Sequence, residues 1–250
     1  MKRLLPRLAV ALATFAFGVA AAALYLALNT PPDIPPPPPV ALHAEAPAPV
    51  PACFPGLSMG TRYMGKIVYF PGGVFSDNEW HDEFRSSWYT KHLAAMGEPS
   101  LYFCCVTPGE NYWVLRVEES YRFLWLRSFH HPVAVRVWRS GAEHFLVVKQ
   151  LSGAGGYAPG RLSVDRTRQL SNDEWDEFVR LLDGICYWQM PAEDSRLGND
   201  GARWILEGMK DGRYHIVDRW SPDGGDYRAA CLHLLKLSGL GVNPKGVDVY

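Results

Sequence analysis

The residues best suited to chemistry lie in one stretch, WILEGMKDGRYHIVDRW, at positions 204–220. It places a carboxylate, an imidazole and a guanidinium group between two tryptophans: Glu207, His215, Arg219, Trp204 and Trp220. Carboxylates and imidazoles are common groups in general acid–base catalysis. A guanidinium group beside an indole would suit an anionic or sugar-like ligand. These five residues are therefore the candidate ligand-binding or catalytic residues.

The same stretch has the pattern of a β-hairpin, and the hairpin decides where those groups point. Asp211 and Gly212 favour a type I′ turn, because both central residues of that turn need positive φ. A turn there predicts these opposed pairs: Lys210–Arg213, Met209–Tyr214, Gly208–His215, Glu207–Ile216, Leu206–Val217, Ile205–Asp218 and Trp204–Arg219. Successive side chains of a strand alternate between faces. Glu207 and His215 should therefore lie on opposite faces, unable to form an acid–base pair within the hairpin.

Two hypotheses remain for these residues. In the structural one, Glu207 accepts hydrogen bonds from a basic group on a neighbouring element, and His215 fills the space left by Gly208. In the functional one, a cleft contains His215 and Arg219, and Arg219 lies over Trp204 as a cation–π pair. We favour the structural hypothesis, because structural ion pairs also bury carboxylates. Finding Glu207 fully enclosed and paired to arginine would argue against catalysis by this carboxylate.

Other segments match known sequence motifs in their residues but lack the secondary structure that those motifs need. GLSMG at 56–60 has the G-x-S-x-G pattern, but a proline-rich stretch precedes it where a nucleophile elbow needs a strand. GAGGYA at 153–158 resembles a dinucleotide-binding loop, but proline and glycine follow where a helix should open. We predict a flexible loop there, which can still serve as a binding lid. His81 and His92 share a predicted helix without a second ligand at i+4. The sequence therefore predicts no metal site and no cofactor.

The first 52 residues differ from the rest in composition. Residues 1–7 are basic, and the run from Leu8 to Leu28 is uncharged and long enough for the roughly 20 apolar residues of a membrane span. Residues 29–52 are rich in proline and alanine and predict an extended linker, reaching roughly 70 Å at about 3.1 Å per residue. The basic residues precede the span, so the positive-inside rule leaves residues 1–7 in the cytoplasm and the 53–250 domain outside. The alternative is secretion after cleavage of a signal peptide.

Composition excludes one class of function. The formal net charge is −1, which provides no electrostatic footprint for nucleic acid.

An odd number of cysteines leaves at least one thiol unpaired unless two chains pair. The five are Cys53, Cys104, Cys105, Cys186 and Cys231. We expect several of them to be simply buried.

Hydrophobic periodicity and turn signals predict an α+β fold, an antiparallel sheet or meander with about three packing helices. Predicted helices cover 76–96, 171–182 and 226–238, the first two beginning with the capping boxes Ser76/Glu79 and Ser171/Glu174. Trp80, Phe84 and Trp88 form one apolar stripe of the first helix. Predicted strands cover 66–70, 101–106, 112–119, 122–129, 133–138, 144–151 and 162–170, followed by the hairpin.

The C-terminal half resembles a group of uncharacterised bacterial proteins. The segments that carry the resemblance are LSNDEW, CYWQMP, DGARWILEG, YHIVDRWSP and CLHLLKLSGL, which together have a W-x-L-E-G…Y-H…R-W-x-P pattern. The resemblance covers roughly the last 100 residues and transfers no activity. It implies a bacterial source, and hence an inner-membrane anchor with a periplasmic domain. It also implies that Glu207, His215, Arg219 and Trp220 are the residues to inspect first.

The expected function is binding or interaction with a cell-envelope component or another protein. One alternative is a small extracytoplasmic hydrolase using Glu207 or His215, and another is an accessory or inhibitory subunit of a membrane complex. If the protein is an enzyme, we expect a cleft where polar groups converge. If it is a binding module, we expect an exposed aromatic patch.

Overall fold

A computed structural model describes residues 61–63, 66–102, 117–194, 196, 198, 200–241 and 250 of the chain. The predicted span at 8–28, the linker at 29–52 and the G-x-S-x-G match at 56–60 lie outside these residues. Within the described ranges, no helix combines the length and the apolar character needed to cross a membrane.

The centre of the fold is an antiparallel sheet. Two short strands, β1 (Thr61–Tyr63) and β2 (Lys66–Val68), pair only with each other among the described strands. The six strands of the main sheet are β3 (Glu119–Arg127), β4 (Val133–Ser140), β5 (Glu143–Leu151), β6 (Leu162–Leu170), β7 (Ala202–Lys210) and β8 (Arg213–Trp220). Their order is β6-β5-β4-β3-β7-β8, with every neighbouring pair antiparallel. A four-stranded meander is thus extended by a hairpin at its β3 edge.

Helices cover both faces of the sheet. In the described part of the chain they are α1 (Glu79–Met96), α2 (Asn172–Gly184) and α3 (Gly225–Ser238). α1 packs on the face that contains Leu124 and Ile205, and α2 and α3 pack on the face that contains Phe123 and Leu206. All nine residues of β3 are consequently buried. The α+β prediction is confirmed for the domain.

Local sequence signals explain where α2 begins and where α3 ends. Ser171 caps α2. Its hydroxyl accepts the Glu174 backbone N–H, and the Glu174 carboxylate accepts the Ser171 backbone N–H. The predicted capping box is therefore confirmed. Gly239 ends α3 in the left-handed region, as glycine commonly does after a helix.

The start of α1 differs from the prediction. The helix begins at Glu79, and its cap is Asn78, whose side chain accepts the backbone N–H of His81. The predicted Ser76/Glu79 capping box is wrong, because the Ser76 hydroxyl accepts the Asn78 N–H in the turn before the helix. Asparagine caps helices as well as serine does. Residue type alone therefore does not show which of Ser76 and Asn78 is the cap.

Several predicted strand boundaries also change. β3 runs without a break through residues 119–127, where the sequence predicted two strands separated at 120–121. Residues 101–102 are helical rather than extended, and 103–116 lie outside the described residues. The strand predicted at 162–170 is confirmed at both ends. The hairpin is confirmed too, and β7 and β8 pair in the predicted register from Lys210–Arg213 to Trp204–Arg219.

Candidate binding surface

Glu207 lies on β7, between β3 and β8, and is fully enclosed. One carboxylate oxygen accepts hydrogen bonds from Nε (2.7 Å) and Nη2 of Arg122, which stands opposite it on β3. The other oxygen accepts the Tyr214 hydroxyl at 2.9 Å. The partner is a basic group on the neighbouring strand, as the structural hypothesis required. This arrangement argues against a hydrolase that works through Glu207.

A second buried carboxylate extends this charge network. Glu98 accepts a hydrogen bond from Arg136 Nε at 2.8 Å and lies 3.5 Å from Arg122 Nη1 and 3.6 Å from Lys149 Nζ. Burial opposes ionisation of Glu98, but the three cations together lower the pKa of its carboxyl to about 2. Burial raises the pKa of Glu207, against the opposing effect of its single close cation, Arg122. The two carboxylates therefore differ in how well their charge is compensated.

His215 lies on the opposite face from Glu207, as predicted, and packs against the rings of Tyr187 and Trp188 at 5.1 and 6.2 Å. Burial lowers the pKa of its imidazole. The expectation that His215 fills the space over Gly208 is wrong. A Cβ on Gly208 would come within 2.7 Å of Tyr187 and 2.9 Å of Tyr121, so two tyrosine rings occupy that space. His215 itself is half-buried beside Tyr187 and Trp188.

Arg219 and Trp204 lie opposite each other but do not form the expected cation–π pair. The guanidinium of Arg219 donates to the carbonyl of Pro191 at 2.8 Å and lies 5.7 Å from the Tyr227 ring centre. The cation over Trp204 is instead Arg228, at 5.0 Å. Trp204 has no exposed surface, so it offers no platform to a ligand.

The five sequence-predicted residues therefore do not meet in one cleft. Trp220, the last of them, lies near the sheet edge with the Arg203 guanidinium 4.9 Å from its ring centre. Glu207 is on one face of the sheet, and His215, Trp204 and Arg219 are on the other. In the described part of the chain, no three His, Cys, Asp or Glu side chains gather as metal ligands.

The glycine-rich loop between β5 and β6, predicted to be a flexible loop, makes several backbone hydrogen bonds to the turn between β3 and β4 and within itself. Gly155 N–H donates to the His130 carbonyl at 3.0 Å, and Gly156 N–H donates to the Ser128 carbonyl at 3.2 Å. A Cβ on Gly155 would come within 2.6 Å of the Arg127 backbone. The glycines therefore let this loop pack directly on the turn between β3 and β4.

Two of the most exposed large apolar residues of the described chain lie on α1. Trp80 is 68% exposed and Phe84 is 54% exposed, which is unusual for such large side chains. Their rings stack at 5.8 Å, and Trp88, partly buried, continues the row at 6.0 Å from Phe84. The stripe found in the sequence thus exists, but it is the outer face of α1. The buried residues of α1 are Asp82, Tyr89, His92, Leu93 and Met96.

A second pair of exposed aromatic rings lies on the loops next to α1. The Trp88 indole donates to the Gly155 carbonyl at 2.7 Å, which joins α1 to the glycine-rich loop. That loop presents Tyr157, and the adjacent turn presents Phe129; each is 60% exposed, and their rings lie 6.0 Å apart. We call Trp80, Phe84, Trp88, Phe129 and Tyr157 the aromatic surface.

No sequence pattern marked the aromatic surface as a functional candidate. Helix α1 carries two apolar stripes, and spacing alone does not show which one packs on the sheet. The signal that was available is the closer spacing of Tyr89, Leu93 and Met96, which follows the i, i+4, i+7 pattern of a core face. Phe129 and Tyr157 carried no periodic signal, because both lie in turns.

Carboxylates border one end of the aromatic surface. Asp77, Glu79 and Glu83 are exposed beside Trp80 and Phe84. The nearby Arg85 is half-buried and forms an ion pair with Glu193. This end of α1 therefore has an acidic character that the chain as a whole, with its net charge of −1, does not share.

No protein-family model, no curated protein and no solved structure matches this chain.

Proposed function

We propose that the domain is a binding module that attaches to a protein partner through the aromatic surface. Four aromatic side chains there are more than half exposed. At about 150–250 Å² for each aromatic residue, they expose on the order of 400–600 Å² of apolar area. Soluble monomers rarely expose a contiguous apolar patch larger than a few hundred Å². The observation that carries the proposal is this concentration of exposed rings on one part of a domain whose five sequence-predicted site residues do not meet in one cleft.

Rigidity supports the same conclusion. The Asp82 carboxylate accepts the N–H groups of Gly73 and Phe75, both at 2.8 Å, which ties the start of α1 to the preceding segment. The Tyr89 hydroxyl donates to Asp218 of β8 at 2.7 Å, which ties the helix to the sheet. A surface that is already ordered loses less entropy when it binds.

The proposal includes the placement predicted from the sequence. The run from Leu8 to Leu28 would anchor the chain in the bacterial inner membrane, and the 29–52 linker would hold the domain in the periplasm. A linker of that length lets the domain reach a partner in the membrane or at a distance from it. The domain would then act as a tethered contact module, and an accessory subunit of a membrane complex is one form that such a module takes.

Site-specific cross-linking in membranes of producing cells tests this function. A photoreactive benzoylphenylalanine at position 84 or 157 of the full-length protein should form adducts with the same protein. A third variant with the label at Arg180, exposed on α2 across the sheet, is the matched control and should give no such adduct. Trp80→Ala should lower the adduct yield at least tenfold, since tryptophans at the centre of an interface often contribute 2 kcal/mol or more. Equal yields from all three positions would refute the proposal.

A further inference from the structure

We infer that the partner is a protein with an apolar groove lined on its rim by basic residues, into which the outer face of α1 inserts. This inference rests on the proposed function and adds the shape and charge of the partner. It follows from the form of the aromatic row, its acidic border and the fixed position of the helix.

The aromatic row on α1 has the form of a ridge. Trp80, Phe84 and Trp88 follow each other at intervals of four residues, so they span two helical turns, about 12 Å. The Trp80 and Phe84 rings are nearly parallel at 14°, but the Phe84 and Trp88 rings are tilted by 47°. Such rings do not form one flat platform. Helices with apolar anchors at this spacing typically bind in the hydrophobic groove of a partner.

The acidic border selects the sign of the partner's charge. Asp77 and Glu79 are exposed at the N-terminal end of the ridge, where the partial positive charge of the helix end favours carboxylates. Glu83 adds a third carboxylate one turn later. The exposed cation of α1, Lys91, lies at the other end of the helix. Charged residues at an interface rim steer association and suppress partners of like charge, so a basic rim fits this end of the ridge.

The same charges disfavour a lipid surface as the binding partner. Helices that lie in a membrane interface carry lysine and arginine on their polar face, and anionic lipids attract such residues. Here the residues next to Trp80 and Phe84 are acidic instead. Exposed tryptophans alone would be compatible with a bilayer, but their carboxylate neighbours favour a protein.

The charge inference is tested with the benzoylphenylalanine label at position 84 of the full-length protein in native membranes. The variant Asp77→Lys/Glu79→Lys should lower the yield of the protein adduct about tenfold. Losing one exposed ion pair lowers affinity by up to about fivefold, and this variant removes two carboxylates. Higher ionic strength should lower the yield of the parent protein but not that of the variant. Asp173→Lys/Asp176→Lys, in the first two turns of α2 on the other side of the sheet, is the matched control and should leave the yield unchanged. The neutral variant Asp77→Asn/Glu79→Gln should show a smaller loss with an unchanged melting temperature.

The outcomes separate this inference from the proposed function. A protein adduct that depends on Trp80 but is unaffected or increased by the charge reversal overturns the basic rim and leaves the proposed function standing. An adduct with phospholipid instead of protein overturns both. Loss of the adduct in the charge-reversal variant, with retention in the α2 control, supports both.

Discussion

Glu98 is the carboxylate on which the buried charge network depends most, and Glu98→Gln tests that network directly. Glutamine keeps the shape of the side chain but leaves Arg136, Arg122 and Lys149 facing a neutral group. The pKa of Glu98 falls from an ordinary value of 4.5 to about 2. At about 1.36 kcal/mol for each pKa unit, its ionised form contributes about 3 kcal/mol to the free energy of unfolding. Removing one partner of a buried ion pair typically costs about 3–5 kcal/mol, so we expect a loss of about 3 kcal/mol for Glu98→Gln.

The pH dependence of this loss gives a second check. The folded-state pKa of Glu98 lies below its ordinary value, so its contribution is complete above about pH 4.5 and is lost as the pH falls toward about 2. Glutamine does not titrate. The difference between the two proteins should therefore shrink to about half by pH 3.

Urea unfolding of the full-length protein and the Glu98→Gln variant, at pH 7 and at pH 3, measures both quantities. Asp173→Asn, exposed on α2, is the control and should change the free energy of unfolding by less than about 0.5 kcal/mol. A loss below 1 kcal/mol at pH 7, or a loss of equal size at both pH values, would refute the reasoning.

Urea unfolding of substituted proteins also tests three other parts of the structure. Because burial raises the pKa of Glu207, the cost of Glu207→Gln should decrease as the pH rises, opposite to the trend above; the same trend in both variants would contradict this assignment. Gly155→Ala should cost about 1–3 kcal/mol, because its Cβ would come within 2.6 Å of backbone atoms. Gly212→Ala, with φ +74 but open space, should cost about 1 kcal/mol, and a cost equal to that of Gly155→Ala would contradict the tight packing. Asn78→Ala should cost about 1 kcal/mol and Ser76→Ala much less, whereas the reverse order would restore the predicted cap.

The parts of the fold predicted correctly are those set by short-range chemistry. Asp211 and Gly212 both adopt positive φ, as a type I′ turn needs, and this turn alone fixes the pairing of β7 with β8. Ser171 and Glu174 likewise determine the start of α2 within four residues of sequence. Each of these predictions needed no knowledge of distant parts of the chain.

The parts that could not be predicted depend on contacts between distant segments. Arg122, Arg136 and Lys149 alternate with apolar residues in the sequence, which is typical of a strand with one solvated face. They are buried because residues 98–99 and α1 cover that face, and Glu98 supplies the opposing charge. The exposed face of α1 has the same origin, since the choice between its two stripes is made by the sheet against which it packs.

The ion pair between Arg122 and Glu207 has a consequence for how the sheet is assembled. It spans the junction between β3 and β7, which join the meander to the hairpin across more than 80 residues of chain. A slip of two residues at this junction would keep every side chain on its correct face but place Arg122 opposite Ile205 or Met209. The guanidinium would then be buried without its carboxylate, at a cost of several kcal/mol. The buried ion pair therefore helps to set the register between the meander and the hairpin.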